Sequence, residues 1–256
     1  MGLIENLKSY SEGVKISAEK KELFTSFMSK GFPTTKDEEW KYTSLNSLLK
    51  NDYSVFPTSD TAIELKEVKQ YFLHEIESYK LVFIDGVYSS FLSDTTHEGV
   101  DICILSSALK QPKYKMVVDH YFGTVASKSE SLTSLNTAFS KEGAFINIPK
   151  NIVLPKPIQI LHFSTGNEKE IMLQPRNLIV VGENSHVQIY ERHQSLSDNK
   201  VLTNAVTEVF AHKRAIADIY KIQNDRKTSS LIDNTYVHQK DSSIVSINTF
   251  SFGGNI

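Results

Sequence analysis

Eight histidines, one cysteine and 30 acidic side chains are the groups in this 256-residue sequence able to ligate a metal or carry a proton. Among the histidines, His162, His186, His193 and His238 fall in a repetitive second half, where stacked strands bring side chains together only if they share a register. His162 and His186 take the fifth and first places of their repeats, so no histidine ladder is expected, and solvent or a partner's face is the preferred surrounding. His97-Glu98 lacks the second histidine that a helical zinc site needs at i+4, and reads as a loop pair. Cys103, within Asp101-Ile-Cys-Ile-Leu, reads as a small buried hydrophobe. As the sole cysteine it excludes an internal disulfide framework or a cysteine-rich zinc or cluster site made by these residues alone. Asp218 and Asp233 lack the carboxylate counterparts two coils away that a solenoid polysaccharide enzyme would use, while Asp37, Glu38 and Glu39 match the dipole at a helix start. No G-x-S-x-G, H-E-x-x-H, P-loop or G-x-G-x-x-G occurs. The residues therefore nominate no catalytic, cofactor-binding or metal-ligating set, which weighs against the common enzyme classes.

The composition, 40% hydrophobic and 23% charged with a net charge of -2, belongs to a folded chain able to bury a core. Basic residues are dispersed, which excludes the long-range positive field of a nucleic-acid binder. The start, MGLIENLKSY, has no signal-peptide pattern, and no run of about 18 apolar residues follows. Gly2 lacks the Ser or Thr that myristoylation wants, position 6 being Asn6. No membrane partner and a cytoplasmic location are the expectations.

The elements that would position these groups change in kind along the chain. Leu23, Phe24, Phe27 and Met28 share one face of a helix over residues 17–30, closed by Gly31 and Pro33. Capping-box spacing at Thr35/Glu38 and Thr61/Glu64 predicts two more helices, the first carrying Trp40, Leu45, Leu48 and Leu49, the second Val68, Phe72 and Ile76. Asp85-Gly86 between residues 81–84 and Val87-Tyr88 predicts a type I′ hairpin at a sheet edge. Residues 112–126 and 129–139 read as helices.

From about Ala144 the pattern is short β runs and polar turns. Aligning the runs that begin at Ile158, His186, Ile216 and Ile244 gives offsets of 28, 30 and 28, with Leu161, Ile189, Ile219 and Ile247 always in fourth place. A second register sets Asn177, Asn204 and Asn234 ahead of the preceding strands, so each period holds at least two strands. Fixed spacing with a fixed apolar place is the mark of stacked coils, preferred over a sandwich or jelly roll. The expected organisation is a helical region with a short hairpin over 1–143 and a β-solenoid over 144–256.

Residues 31–45 carry the most specific signal. Physically, Gly31 and Pro33 end one helix, and Trp40 and Tyr42 offer amphipathic surface for docking the arm that follows. Gly31, Pro33, Thr34, Glu39, Trp40, Lys41, Tyr42 and Thr43 also resemble the Gly-x-Pro-Thr-x-x-x-Glu-x-Trp-Lys-Tyr-Thr signature of the SufB/SufD family of iron-sulfur cluster assembly proteins, most like its SufD branch. Leu81-Val-Phe-Ile-Asp-Gly-Val-Tyr and Ser251-Phe-Gly-Gly resemble further stretches of that branch. The resemblance implies N-terminal helices followed by a right-handed parallel β-helix, and a non-catalytic scaffold that works with a SufB-like subunit and a SufC-like ATPase. It also implies that this chain alone holds no cofactor, an iron-sulfur cluster belonging only to the assembled complex. Family members continue past the Phe-Gly-Gly stretch into the coils that carry cluster-linked residues, so none of those residues is carried over. The open last coil, residues 244–252, would then be prone to self-association. A carbohydrate-active solenoid enzyme with an acidic groove, or a self-assembling solenoid module, stand as the other readings.

Overall fold

Strands whose alternate residues are apolar can bury one face only against a neighbour of the same pattern, and the second half of this chain solves that by coiling on itself. The computed structural model describes residues 2–13, 17–55, 63–96, 99–126, 130–166 and 169–255. Its helices are α1 (Leu3–Gly13), α2 (Ala18–Lys30), α3 (Asn46–Leu49), α4 (Leu65–Val68), α5 (Leu105–Lys110), α6 (Pro112–Tyr121) and α7 (Ser131–Phe139). The strands are β1 (Tyr79–Ile84), β2 (Val87–Tyr88), β3 (Asp101–Ile104), β4 (Ala144–Ile148), β5 (Ile158–Ser164), β6 (Ile171–Leu173), β7 (Arg176–Val181), β8 (His186–Ser195), β9 (Val201–Ala211), β10 (Ile216–Asn224), β11 (Ser229–Gln239) and β12 (Ile244–Gly253).

The strands form two facing sheets, ordered β12-β10-β8-β5-β1-β2 and β11-β9-β7-β4-β3, with β6 beside β9, and from β7 onward successive strands alternate between them. Pairing along both stacks from β4 onward is parallel, which makes this a β-solenoid of four two-strand coils rather than a sandwich. The hairpin forms as expected: Asp85 and Gly86 take φ values of 47° and 77°, and β2 is the edge strand. β1 and β3, from the first 143 residues, are themselves strands of the two sheets.

The corner from one sheet to the other is built the same way in each coil. Asn151, Asn184, Arg214 and Ser242 occupy it with φ of 63°, 57°, 56° and 57°. Asn184 Nδ2 donates to Asn151 Oδ1 at 2.8 Å and Arg214 Nε to Asn184 Oδ1 at 2.6 Å, a side-chain ladder along the stack. Beneath it, buried Ser185 Oγ donates to the Pro149 carbonyl at 2.6 Å and accepts from Ile152 N at 3.0 Å. Ser185→Ala leaves both backbone groups without this partner and is expected to cost about 1–2 kcal/mol in urea unfolding. A loss below a few tenths of that range would show that water replaces the hydroxyl.

The first part of the chain covers the solenoid from outside. Leu23, Phe24 and Phe27 of α2 pack with Leu132, Leu135 and Phe139 of α7 over Met172, Leu202 and Ile232 of one sheet. Val68 and Leu92 cover Val82, Ile84, Leu161 and Phe163 on the other sheet. β5, β7 and β9 are consequently buried on both faces. α2 and its Gly31 stop match the expected helix, with Ser17 as N-cap. Thr35 starts no helix: Thr34 N instead donates to Asp37 Oδ2 at 2.7 Å, only one 3-10 turn (Glu38–Trp40) follows, and α3 is a single turn. The next short helix is boxed by Glu64 and Glu67; Thr61 lies outside the described residues, and the turn ends at Tyr71 rather than reaching Ile76. α6 ends at Tyr121, not Ala126, because Phe122 turns extended and Gly123 takes a φ of 73°. Ser129 lies outside the described residues, and α7 begins at Ser131 with Glu130 as its cap. Among the described residues no helix is long and apolar enough to cross a membrane.

The strand register needs one correction. Ile216 pairs with Ile244, and His186 with Ile216, as the repeat predicted, but Ile158 pairs with Ile189, a step of 31 residues instead of 28. Three residues is an odd shift, so it exchanges the two faces of β5. The sequence pattern tolerated the slip because Leu161 and Phe163 face outward onto the N-terminal helices and are as apolar as the inward Ile158 and Ile160. The asparagine register is displaced as well: Asn177 pairs with Thr207, Asn204 with Ile232 and Asn234 with Val206.

Candidate functional site

Columns of in-register residues run through the solenoid interior at right angles to the strands, and two of them change character midway. One column reads Leu81, Ile160, Glu191, Lys221, Thr249; its neighbour reads Phe83, His162, His193, Gln223 and Ser251. Apolar residues at the start of each column thus give way to the ionisable His162, Glu191, His193 and Lys221, all of them buried. An interior charge is tolerated only when paired and hydrogen-bonded.

The pairing is centred on Glu191, which is 3% exposed. Lys221 Nζ lies 3.2 Å from Glu191 Oε2 and is shared with Asp233 at 2.6 Å and Thr235 Oγ1 at 2.8 Å. Asn177 Nδ2 donates to Glu191 Oε1 at 3.1 Å and to Thr207 Oγ1 at 3.1 Å. Burial alone would raise the Glu191 carboxyl, but the Lys221 ammonium and the two imidazoles outweigh it and hold it well below the usual carboxylate range. Lys221 shows the mirror image: burial would lower it, while Glu191 and Asp233 raise it above its ordinary value.

The histidine ladder that the slipped register hid is present here. The His162 and His193 rings stack at 4.6 Å with an interplanar angle of 8°, and Phe83 stacks on His162 at 5.0 Å. Both Nε2 atoms turn toward Glu191 Oε1, at 3.9 Å from His162 and 3.5 Å from His193, too far for hydrogen bonds. Both are buried without a hydrogen-bond partner. Burial, and then the neighbouring His193, pushes His162 down to about 3, so its imidazole is neutral near pH 7. A cavity of about 220 Å³, lined by Glu191, His193, Lys221, Gln223, Asp233 and Thr249, adjoins the group.

No sequence feature had nominated His162, Glu191 and His193 together. The signal that could have found them is the shared His-x-Ser of 162–164 and 193–195, which marks the 31-residue step. His186 instead pairs with Asp218 at 2.9 Å near the surface, and His238 lies against the Phe210 ring. His97 and Glu98 lie outside the described residues. Cys103 is half-buried on β3, and burial, then Asp101, pushes its thiol up to about 11, so it is no thiolate near neutrality. The cavity's carboxylates, Glu191 and Asp233, are both engaged by Lys221, unlike the open acidic groove a carbohydrate enzyme would present.

The residues of the 31–43 segment stand apart from this cluster. Trp40 is half-buried against the α2–α7 core, but Tyr42 is 91% exposed with Lys41 over its ring at 5.6 Å, so Tyr42 does not dock the arm. Gly31 O accepts from Ser131 Oγ, and Thr43 N donates to the Trp40 carbonyl at 2.9 Å. Pro33 is half-buried, while Thr34 and Glu39 are exposed.

Comparison with known proteins places these elements in one family. A family model described as the SufBD protein N-terminal region matches residues 5–160, and a second, the SufBD core domain of the SUF system for FeS cluster assembly, matches residues 163–256. An iron-sulfur cluster assembly SufBD family protein of Synechocystis is 28% identical over 81% of this chain and 47% of its own length. The iron-sulfur cluster assembly protein SufD of Escherichia coli is 24% identical over 76% of this chain and 43% of its own. A chloroplastic SufBD family protein of Arabidopsis thaliana is 32% identical over 56% of this chain and 26% of its own. The chain spans less than half the length of these relatives.

Proposed function

Because the chain belongs to the SufBD family of iron-sulfur cluster assembly proteins, we propose that it is a non-catalytic scaffold subunit of the SufD type, acting in the cytoplasm with a SufB-like subunit and a SufC-like ATPase. The observation that carries this reading is the order of the two matches, N-terminal region then core, along the whole chain. The 31–43 signature supports the SufD branch. Any iron-sulfur cluster would be cargo of the assembled complex.

Co-expression of the chain with tagged SufB-like and SufC-like proteins tests this. Retention of the chain on either tagged partner is the expected result. Failure to associate with both would overturn the partner assignment, and multimerisation through β12 without either partner would favour a self-assembling module.

A further inference from the structure

We propose that His162, His193 and Glu191 form an interior binding site for one divalent first-row transition-metal ion, a site independent of the assembly reading. Three observations carry it. The three ligand atoms come from in-register places on β5 and β8 and all lie within 4.8 Å of one another. Both histidine Nε2 atoms are buried, turned toward the carboxylate, and unpartnered, which is a standing cost in a folded interior. The cavity beside His193 and Glu191 leaves room for the side chains to adjust.

The chemistry of the donor set selects the ion. Two neutral imidazoles and one carboxylate suit zinc, ferrous iron, cobalt or nickel, whereas calcium and magnesium prefer all-oxygen shells. Among the described residues Lys221 is the cation beside Glu191, and it is already engaged: Asp233 holds it at 2.6 Å, and its contact with Glu191 is to Oε2, whereas the histidines approach Oε1. Asn177 on Oε1 supplies the outer hydrogen bond that orients a ligating carboxylate. Two nitrogen ligands on one tetrahedral ion are roughly 3.4 Å apart at ordinary bond lengths, so binding requires the stacked rings to fan toward Glu191.

The test is a titration of chelator-stripped full chain with Co(II) alone, read by visible absorption and isothermal calorimetry. One saturable equivalent with ligand-field bands of imidazole-bound cobalt is expected, displaced by Zn(II). Because polar interior variants risk unfolding, the decisive variant is His162→Phe, which places in β5 the residue that β1 already has at the same column position, Phe83. It should keep the far-UV spectrum of the parent and bind Co(II) more than about 100-fold more weakly. Glu191→Gln should weaken binding in the same direction, and His186→Ala on the surface should leave it unchanged. Absence of saturable binding, undiminished binding by His162→Phe, or loss in His186→Ala would each overturn the site.

Discussion

Glu208→Gln is expected to lower the unfolding free energy by about 3–5 kcal/mol, the range for removing one member of a buried ion pair. Arg176 Nη2 lies 2.6 Å from Glu208 Oε2, with the two side chains 1% and 0% exposed. They face outward from β7 and β9, beneath the segment that follows α6. That segment is held by the same carboxylate, which accepts from Gly123 N at 2.9 Å, Val125 N at 3.2 Å and Ala126 N at 3.1 Å. A glutamine keeps the shape but presents an amide group to a wall of donors, and leaves the guanidinium buried without its counter-charge. The companion Arg176→Met/Glu208→Gln restores charge balance and should recover part of the loss, while residues 122–126 stay loosened because their acceptor remains weakened. Urea unfolding of the three proteins measures the coupling, and limited proteolysis near Gly123 reports the loop. A Glu208→Gln loss under 1 kcal/mol would mean that water enters and that the pair does not anchor this segment.

Arg176 and Glu208 also show why the sequence disclosed the architecture better than the site. Repeats of 28 to 30 residues with a fixed apolar place are enough to specify coils, since each coil must bury its inner face on the next. The α2 stop at Gly31 and the Asp85-Gly86 turn were equally legible, because each depends on a local backbone requirement that few residues meet. The interior cluster depends on register, which is a long-range quantity. On strands covered on both faces alternation disappears, and β9 offers no phase at all: Asn204 and Glu208, which look like solvent-facing residues, are buried, the first beneath α7 and the second beneath the segment that follows α6. A slip of three residues on β5 then sufficed to separate His162 from His193. The N-terminal helices were shortened for a related reason. Thr35 and Thr61 have capping spacing, but the segments after them gain more from laying Leu45, Leu48 and Val68 onto the solenoid than from continuing as free helices.

Acid is expected to destabilise the metal-free protein through His162 before it protonates the ordinary carboxylates. The sign follows from where the proton prefers to be. Burial, then His193, lowers His162 from 6.5 to about 3 in the folded chain, so between those values the unfolded chain holds the proton and the native one does not. Stability therefore rises with pH across that window and is lost as pH falls from about 6.5 toward 3. The charged groups facing His162 do not cancel this: the depressed Glu191 carboxyl loses its stabilising contribution only from the ordinary carboxylate range downward and in the same direction, and the raised Lys221 ammonium only at high pH. At 1.36 kcal/mol per unit, the His162 contribution between about pH 7 and about pH 4.5 amounts to roughly 2–3 kcal/mol. Urea unfolding of parent and His162→Phe in chelator-containing buffers separates it from every other titration, since the phenyl ring keeps the stack on Phe83 and cannot take a proton. The difference in stability between the two proteins should change by that amount across the range, with the variant gaining on the parent as the solution is acidified. Parallel profiles would mean that His162 is protonated in the folded state and that Glu191, at 3.9 Å, already holds it as an ion pair.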